Sequence, residues 1–326
     1  MSERVLVTGA AGFIGSHLCE TLVARGDDVT GIDNFDPFYP RATKERNLEA
    51  LRAHPRFRLC EADVRRDALP LAGVHAVIHL AATPGVRPSL EDPATYMDVN
   101  VTGTARVLDA ASRAGVRRVV LGSSSSVYGE STPAPFAEDA PAVAPISPYA
   151  ASKRAAELVA FAVGLNRALR ILCVRFFTVY GPRQRPDLAV YRFTERIAQG
   201  LPVAMHGDGS SERDYTYITD AVDGVVAALD WTGRGGSERG DEGRWQVVNI
   251  GGGERVRLDR LIALIGHALG REPRIERCPD QPGDVRLTAA DLTRAERELG
   301  YRPRIGIEEG IRRFTRWFEE THGRKL

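Results

Sequence analysis

Near its start the chain reads Val5-Leu6-Val7-Thr8-Gly9-Ala10-Ala11-Gly12-Phe13-Ile14-Gly15. A β-branched apolar run is followed by three glycines at GxxGxxG spacing, then by a helical pattern. This is a strand, a tight turn and a helix start. Gly9 permits the turn, Gly12 lets a backbone approach a pyrophosphate, and Gly15 lets the helix pack close to the sheet. The helix start then offers unpaired N–H groups to phosphates. Gly9, Gly12, Phe13, Ile14 and Gly15 are therefore candidate contacts to a dinucleotide.

Beyond this unit, short apolar runs alternate with helical patterns. Val5–Val7, Val29–Ile32, Phe57–Cys60, Ala76–Leu80, Val119–Leu121 and Ile171–Val174 read as strands. Phe13–Arg25, Ala94–Ala114 and Pro148–Arg167 read as helices. Strands apolar on both faces, alternating with helices, imply an α/β fold with a doubly wound parallel sheet covered on both sides. After about residue 180 the signals shorten and Pro and Gly become more frequent. A polar, Gly-rich excursion at 233–243 precedes a strand Gln246–Ile250, and Leu258–Leu269 and Ile307–Glu320 are amphipathic helix candidates. The expected organisation is a dinucleotide-binding Rossmann domain over 1–180, to which later segments return. A smaller α/β substrate lobe occupies 181–326, with a ligand cleft between the two.

The second strand ends in Asp33-Asn34. An acidic residue about 20 positions after the glycine turn can accept hydrogen bonds from an adenosine ribose. Its charge would repel a 2′-phosphate, which favours NAD over NADP. Asp63, followed by Val64 after the third strand, suits the adenine edge; as a turn aspartate it would be equally ordinary.

Chemistry is suggested by Tyr149-Ala150-Ala151-Ser152-Lys153. On a helix, Tyr149 and Lys153 lie on one face a turn apart. An ammonium beside a phenol favours the phenolate, so Tyr149 could serve as a base near neutral pH. Composition sharpens the point. Of 44 Lys and Arg residues only Lys44, Lys153 and Lys325 are lysine. A net charge of +1 gives no electrostatic case for nucleic acid or a membrane surface. No apolar stretch reaches a membrane span, and no signal peptide precedes the first strand. Cys19, Cys60, Cys173 and Cys278 are scattered and read as reduced thiols of a cytoplasmic protein. The seven histidines show no metal-ligand spacing, so no metal is assigned.

Taken together, the motifs resemble the extended short-chain dehydrogenase/reductase family over nearly the whole chain. They are the glycine turn, Asp63-Val64, His79-Leu80-Ala81-Ala82, Asn100 before a long helix, and Ser123–Ser126 before Val127-Tyr128-Gly129. They continue with Tyr149 and Lys153, Arg175-Phe176-Phe177-Thr178-Val179-Tyr180-Gly181-Pro182, and Gly207-Asp208-Gly209 leading to Arg213-Asp214-Tyr215. Within that family, Pro84–Ser89, the serine run and Arg175–Gly181 followed by Arg185-Pro186-Asp187 are most similar to the UDP-glucuronate 4-epimerases.

The resemblance implies bound NAD, a UDP-sugar substrate and a homodimer formed by Ala94–Ala114 and Pro148–Arg167. Tyr149 would take the sugar 4-OH proton, relayed by Ser124, while hydride leaves C4 and later returns to its other face. Lys153 would also hold the nicotinamide ribose. Leu80, Ala81, Ala82, Asn100 and Phe176 fall at cofactor positions of the family. Ser125, Ser126, Thr178 and Arg185 are candidate clamps for a sugar carboxylate, since a guanidinium fork suits one. Arg213 and Arg286 match diphosphate contacts, and Leu188-Ala189 sits where the backbone meets uracil. Arg87 could face either the phosphate or the cleft wall.

Related dehydratases carry Asp-Glu, and decarboxylases Glu, where this chain has Ser125-Ser126. Serines are poor acids, which argues against dehydration and weakens decarboxylation. A UDP-glucose/galactose 4-epimerase and a UDP-glucuronate decarboxylase remain as other enzyme readings. A non-catalytic NAD-binding regulator is a reading of another class; such proteins usually lack the Tyr or the Lys.

Overall fold

The computed structural model describes residues 2–234, 245–279 and 285–323. The expected excursion at 233–243 lies largely outside the described residues. The first half runs β1 (Arg4–Thr8), α1 (Phe13–Ala24), β2 (Asp28–Asp33), α2 (Arg41–Asn47), β3 (Phe57–Glu61) and β4 (Ala76–His79). Then come two short helices, α3 (Val86–Glu91) and α4 (Pro93–Met97), and α5 (Gly103–Arg113), β5 (Arg118–Ser124), α6 (Pro148–Arg167) and β6 (Arg170–Phe176). The remainder comprises β7 (Thr178–Tyr180), α7 (Ala189–Ala198), β8 (Val203–His206), β9 (Glu212–Tyr217), α8 (Ile218–Gly233) and β10 (Trp245–Ile250). It ends with β11 (Arg255–Arg257), α9 (Leu258–Leu269), β12 (Ile275–Cys278), α10 (Thr293–Leu299) and α11 (Ile307–His322).

Seven strands form one parallel sheet in the order β10-β6-β5-β4-β1-β2-β3. This is the doubly wound α/β architecture the strand–helix alternation predicts. Alternation along β1 distributes its side chains to two cores. Val5 and Val7 pack with Leu18 and Leu22 of α1, while Leu6 packs with Val107 and Leu108 of α5 and Ala156 and Ala160 of α6. The strand order reverses about β1, which has β2 on one side and β4 on the other. A crevice therefore opens at the carboxyl ends of the strands. Two smaller sheets have the orders β11-β9-β7 and β12-β8, and Thr178 and Val179 of β7 reach the cavity at that crevice. The chain after residue 180 is interleaved with the first half, because β10 pairs with β6 at the edge of the main sheet.

The helix expected over Ala94–Ala114 is not continuous. Asp92 caps α4 by accepting from the Thr95 N–H. The helix then widens into a π turn at Asp98–Thr102 before α5 resumes. Asn100 sits in that turn, buried, with its side-chain amide spent on the backbone of Thr83 and on Ser152. Such turns keep a helix running while one side chain is re-aimed. α6 follows expectation: Ser147 accepts from the Ala150 N–H, Pro148 occupies the first position, and Ala168 in the left-handed region ends it.

Candidate active site

A cavity of about 460 Å³ lies over the carboxyl ends of β1, β2, β4, β5 and β6. One end is the glycine turn. Gly9 has φ +73°, and a Cβ there would sit 2.9 Å from the Ala81 nitrogen; one on Gly15 would collide with the Gly9 carbonyl. The backbones of β1, β4 and α1 therefore approach as only glycine allows. The turn is bound to β2, since Gly9 N–H and Ala10 N–H both donate to Ile32 O. α1 begins at Phe13 with its first N–H groups uncapped by any side chain, which suits an anionic ligand.

Asp33 is buried, and both carboxylate oxygens are engaged. Ala11 N–H donates to Oδ2 at 3.0 Å, Phe35 N–H donates to Oδ1 at 2.8 Å, and Lys44 Nζ lies 3.3 Å from Oδ1. Lys44, itself buried, is a site residue that sequence reasoning passed over, although its rarity marked it as clearly as Lys153. Asp63 lines the cavity as a turn aspartate. Arg65 donates to it from backbone and guanidinium, and Asn34 from its amide. The Arg65 hydrogen bonds hold its carboxyl down at about 2. Val64, Leu80, Ala81, Ala82 and Phe176 complete the walls. Asn100 does not line the cavity; it fixes Thr83, which does.

A buried polar strap sets the height of the floor. Thr8 Oγ1 and His79 Nδ1 are 2.6 Å apart, the other His79 nitrogen meets Thr104, and Thr8 accepts from Ala81 N–H. Burial, with the charge of Lys153, lowers His79 to about 3, so the ring is neutral and structural.

At the centre stand Ser124, Tyr149 and Lys153, all on the cavity wall. Lys153 Nζ donates to Gly122 O at 3.0 Å. Burial lowers its pKa to about 8, against the raising influence of Glu157 one turn along α6. Burial pushes the Tyr149 phenol up; a hydrogen bond with Ser124 and the charge of Arg185 oppose this. Here the Lys153 ammonium faces the Gly122 carbonyl, and the influences that favour the Tyr149 phenolate are Ser124 and Arg185. Tyr96, also missed, packs edge-on against Tyr149 at 6.2 Å and donates to Pro84 O. Beneath the site Glu157 is fully buried. It accepts from Ser123 at 2.6 Å and from Arg175 through two bonds of 2.8 Å, with Arg154 at 2.9 Å.

Ser125, Ser126, Thr178, Arg185 and Leu188 line the same cavity. The lining carboxylates among the described residues are Asp33, Asp36 and Asp63, all at the glycine-turn end; Glu157, which accepts from Ser123, lies beneath the lining and is not part of it. Ala189 begins α7 and is off the lining. Arg87 is exposed on α3; it is not on the lining, although Gly85 and Val86 just before it are. Arg213 and Arg286 are also off the lining; β9 and the segment 286–288 pair through Glu212, which brings them to adjacent strands. Among the described residues no group of three or more His, Cys, Asp or Glu could hold a metal ion, and no helix is long and apolar enough to cross a membrane.

Residues 5–251 match the model of the NAD dependent epimerase/dehydratase family. The UDP-glucuronate 4-epimerase of Thermodesulfobacterium geofontis is 37% identical over 321 residues, covering 97% of this chain and 96% of that protein. The crystal structure of UDP-glucuronic acid 4-epimerase from Bacillus cereus with UDP-glucuronic acid and NAD superposes with a TM-score of 0.89 at 34% identity, covering 98% of this chain and 99% of that one. DesIV, a dTDP-glucose 4,6-dehydratase from Streptomyces venezuelae, reaches 0.88 at 33% identity, with 98% of each chain covered. Fold similarity alone therefore does not separate the two reactions. On the family match and these relatives, the chain belongs to the NAD dependent epimerase/dehydratase family.

Proposed function

We propose that the protein is an NAD-dependent UDP-glucuronate 4-epimerase, interconverting UDP-glucuronate and UDP-galacturonate. The observation that carries the reading is the composition of the central wall. Tyr149, Ser124 and Lys153 stand beside Ser125, Ser126, Thr178 and Arg185, with no carboxylate among them. A dehydratase must remove the C5 proton and expel the C6 hydroxyl, which calls for an acid–base pair there. The wall offers hydroxyls and a guanidinium instead, groups that hold a carboxylate.

NAD fits the glycine cradle, with Asp33, Asn34, Asp63 and Val64 at the adenosine end and Lys153 at the ribose nearest Tyr149. Asp33 sets a negative charge where NADP would bring a phosphate. When bound, NAD supplies the acceptor for the C4 hydride and its return. The residues of the chain do the rest. Ser124 hydrogen-bonds O4 and passes its proton to Tyr149, whose phenolate is favoured by Ser124 and Arg185. Once C4 is a ketone the sugar is a β-keto acid, prone to lose carbon dioxide. Hydrogen bonds from Ser125, Ser126, Thr178 and Arg185 would keep the carboxylate's bond to C5 near the carbonyl plane, where cleavage is poorly aligned. With the other face of the sugar presented, Tyr149 would give the proton back to O4 through Ser124.

We assign the nucleotide end to residues 181–326 and the cofactor end mainly to 1–180. The backbone at Leu188–Ala189 is proposed to meet uracil; α7 has no side-chain cap, which leaves its first N–H groups available. Arg213 and Arg286 are proposed to take the diphosphate. Homodimerisation through α5 and α6 is supported by Leu158, Phe161 and Leu165, exposed in one stripe of α6. A cytoplasmic setting is in keeping with four free cysteines.

Incubation with UDP-glucuronate and, separately, UDP-glucose, followed by product chromatography, tests the reading. UDP-galacturonate is expected from the first. Only UDP-galactose from the second, or a UDP-pentose as main product, would replace it with one of the competing activities.

A further inference from the structure

Asp187 has no part in the reaction as described so far, yet it holds a residue that does. Arg185 lines the cavity and its charge reaches Tyr149. A guanidinium has two edges able to take a carboxylate as a fork, the side edge Nε–Nη2 and the end edge Nη1–Nη2. Asp187 takes the side edge: Nε donates to Oδ1 at 2.9 Å and Nη2 to Oδ2 at 2.8 Å. The Phe38 ring lies 5.4 Å from the guanidinium carbon, a second constraint on its plane. Pro186 between the two charged residues has its φ fixed by the ring, which limits how far the pair can drift apart. Asp187 is itself off the cavity lining, its side chain 42% exposed, whereas that of Arg185 is 18% exposed. The aspartate therefore grips the arginine from the solvent side.

We propose that Asp187 is a positioning residue that, by occupying the side edge of the Arg185 guanidinium, turns its Nη1 end into the cavity to receive the glucuronate carboxylate. The proposal rests on the reading of Arg185 as that carboxylate's partner. An ion pair whose aspartate is this open to solvent adds little to stability. Losing Asp187 should therefore leave the fold intact while releasing a side chain with several rotatable bonds. The substrate carboxylate would then have to order Arg185 at the moment of binding, and Tyr149 would lose a fixed positive neighbour.

Two readouts separate orientation from a merely structural pair. The first is discrimination between UDP-glucuronate, which carries the carboxylate, and UDP-glucose, which does not. The second is the sign of a pH shift. Asp187→Asn removes a negative charge. If the guanidinium stayed in place, Tyr149 would face a less compensated cation, and the limb of the rate profile reporting its ionisation would move to lower pH. If the guanidinium swings away, Tyr149 loses the cation and that limb moves to higher pH.

The experiment compares NAD-loaded wild type, Arg185→Ala and Asp187→Asn by calorimetric titration with each UDP-sugar, by thermal unfolding, and by kcat against pH with UDP-glucuronate. For Asp187→Asn we expect UDP-glucuronate binding to weaken about tenfold more than UDP-glucose binding, with Tm nearly unchanged and the limb displaced upward. Equal effects on both sugars, or a limb displaced downward, would overturn the proposal. Failure of the parent reading looks different: Arg185→Ala would then weaken both sugars alike, and the inference would fall with it. If Arg185→Ala is selective and Asp187→Asn is not, only the inference fails.

Discussion

Tyr149 and Ser124 illustrate what the structure adds to a motif. The YxxxK spacing identified Tyr149 and Lys153 because both lie on one helix, where spacing is geometry. The source of the pull on the phenol was not legible, because Ser124 ends β5 and Arg185 follows β7, and only the fold brings them to α6. Tyr149→Phe should lower kcat by about 10²- to 10⁴-fold, the usual worth of a general acid–base group. UDP-sugar binding, measured by calorimetry, should be nearly intact, and kcat within about tenfold of wild type would remove Tyr149 from its role. Ser124→Ala deletes a hydrogen bond that favours the phenolate. The base limb of the pH–rate profile should therefore move to higher pH, with part of the lost rate recovered on raising the pH. An unmoved limb would mean that Ser124 does not act through Tyr149. Asn100, expected at the cofactor, instead bonds Thr83 and Ser152, partners 17 and 52 positions away that no local pattern reveals. Lys44 was legible by its scarcity, but without β2 beside it nothing tied it to Asp33.

At the scale of elements, the glycine turn, the strands of the main sheet and α6 were readable, because each is specified by its own residues. Apolar runs, Gly9 in a left-handed turn, and the Ser147-Pro148 cap are examples. The break between α4 and α5 was not readable, since the π turn depends on where Asn100 must reach. The small helix α3 was also missed; with Gly85 before it and Pro88 inside it, six residues carry no helical pattern. The element that supports catalysis most directly is α6, anchored to β5 and β6 by the buried Ser123–Glu157–Arg175 cluster. Removing one member of a buried, hydrogen-bonded pair leaves an unpaired charge and costs about 3–5 kcal/mol. Glu157→Gln should thus lower Tm markedly in thermal unfolding, and an unchanged Tm would show that the cluster is not what fixes α6 to the sheet.

For the whole molecule, the parallel sheet and its ligand crevice follow from strand order, but the proposed dimer depends on a surface that one chain leaves open. Leu158, Phe161 and Leu165 are 51%, 45% and 46% exposed on the outer face of α6. Paired across a two-fold, that stripe would be buried with α5 of each subunit. Light scattering at micromolar concentration should give a dimer, and Leu158→Glu combined with Phe161→Glu a monomer. A wild-type monomer would contradict the assignment. The account as a whole rests on one chemical event, removal of hydrogen from C4 of UDP-glucuronate and its return to the opposite face within one active site. UDP-glucuronate carrying deuterium at C4, turned over in ordinary water and followed by NMR and mass spectrometry, tests it most directly. UDP-galacturonate with deuterium retained at C4 is the predicted result; a product in which C4 has exchanged with solvent, or a UDP-pentose in place of the epimer, would contradict it.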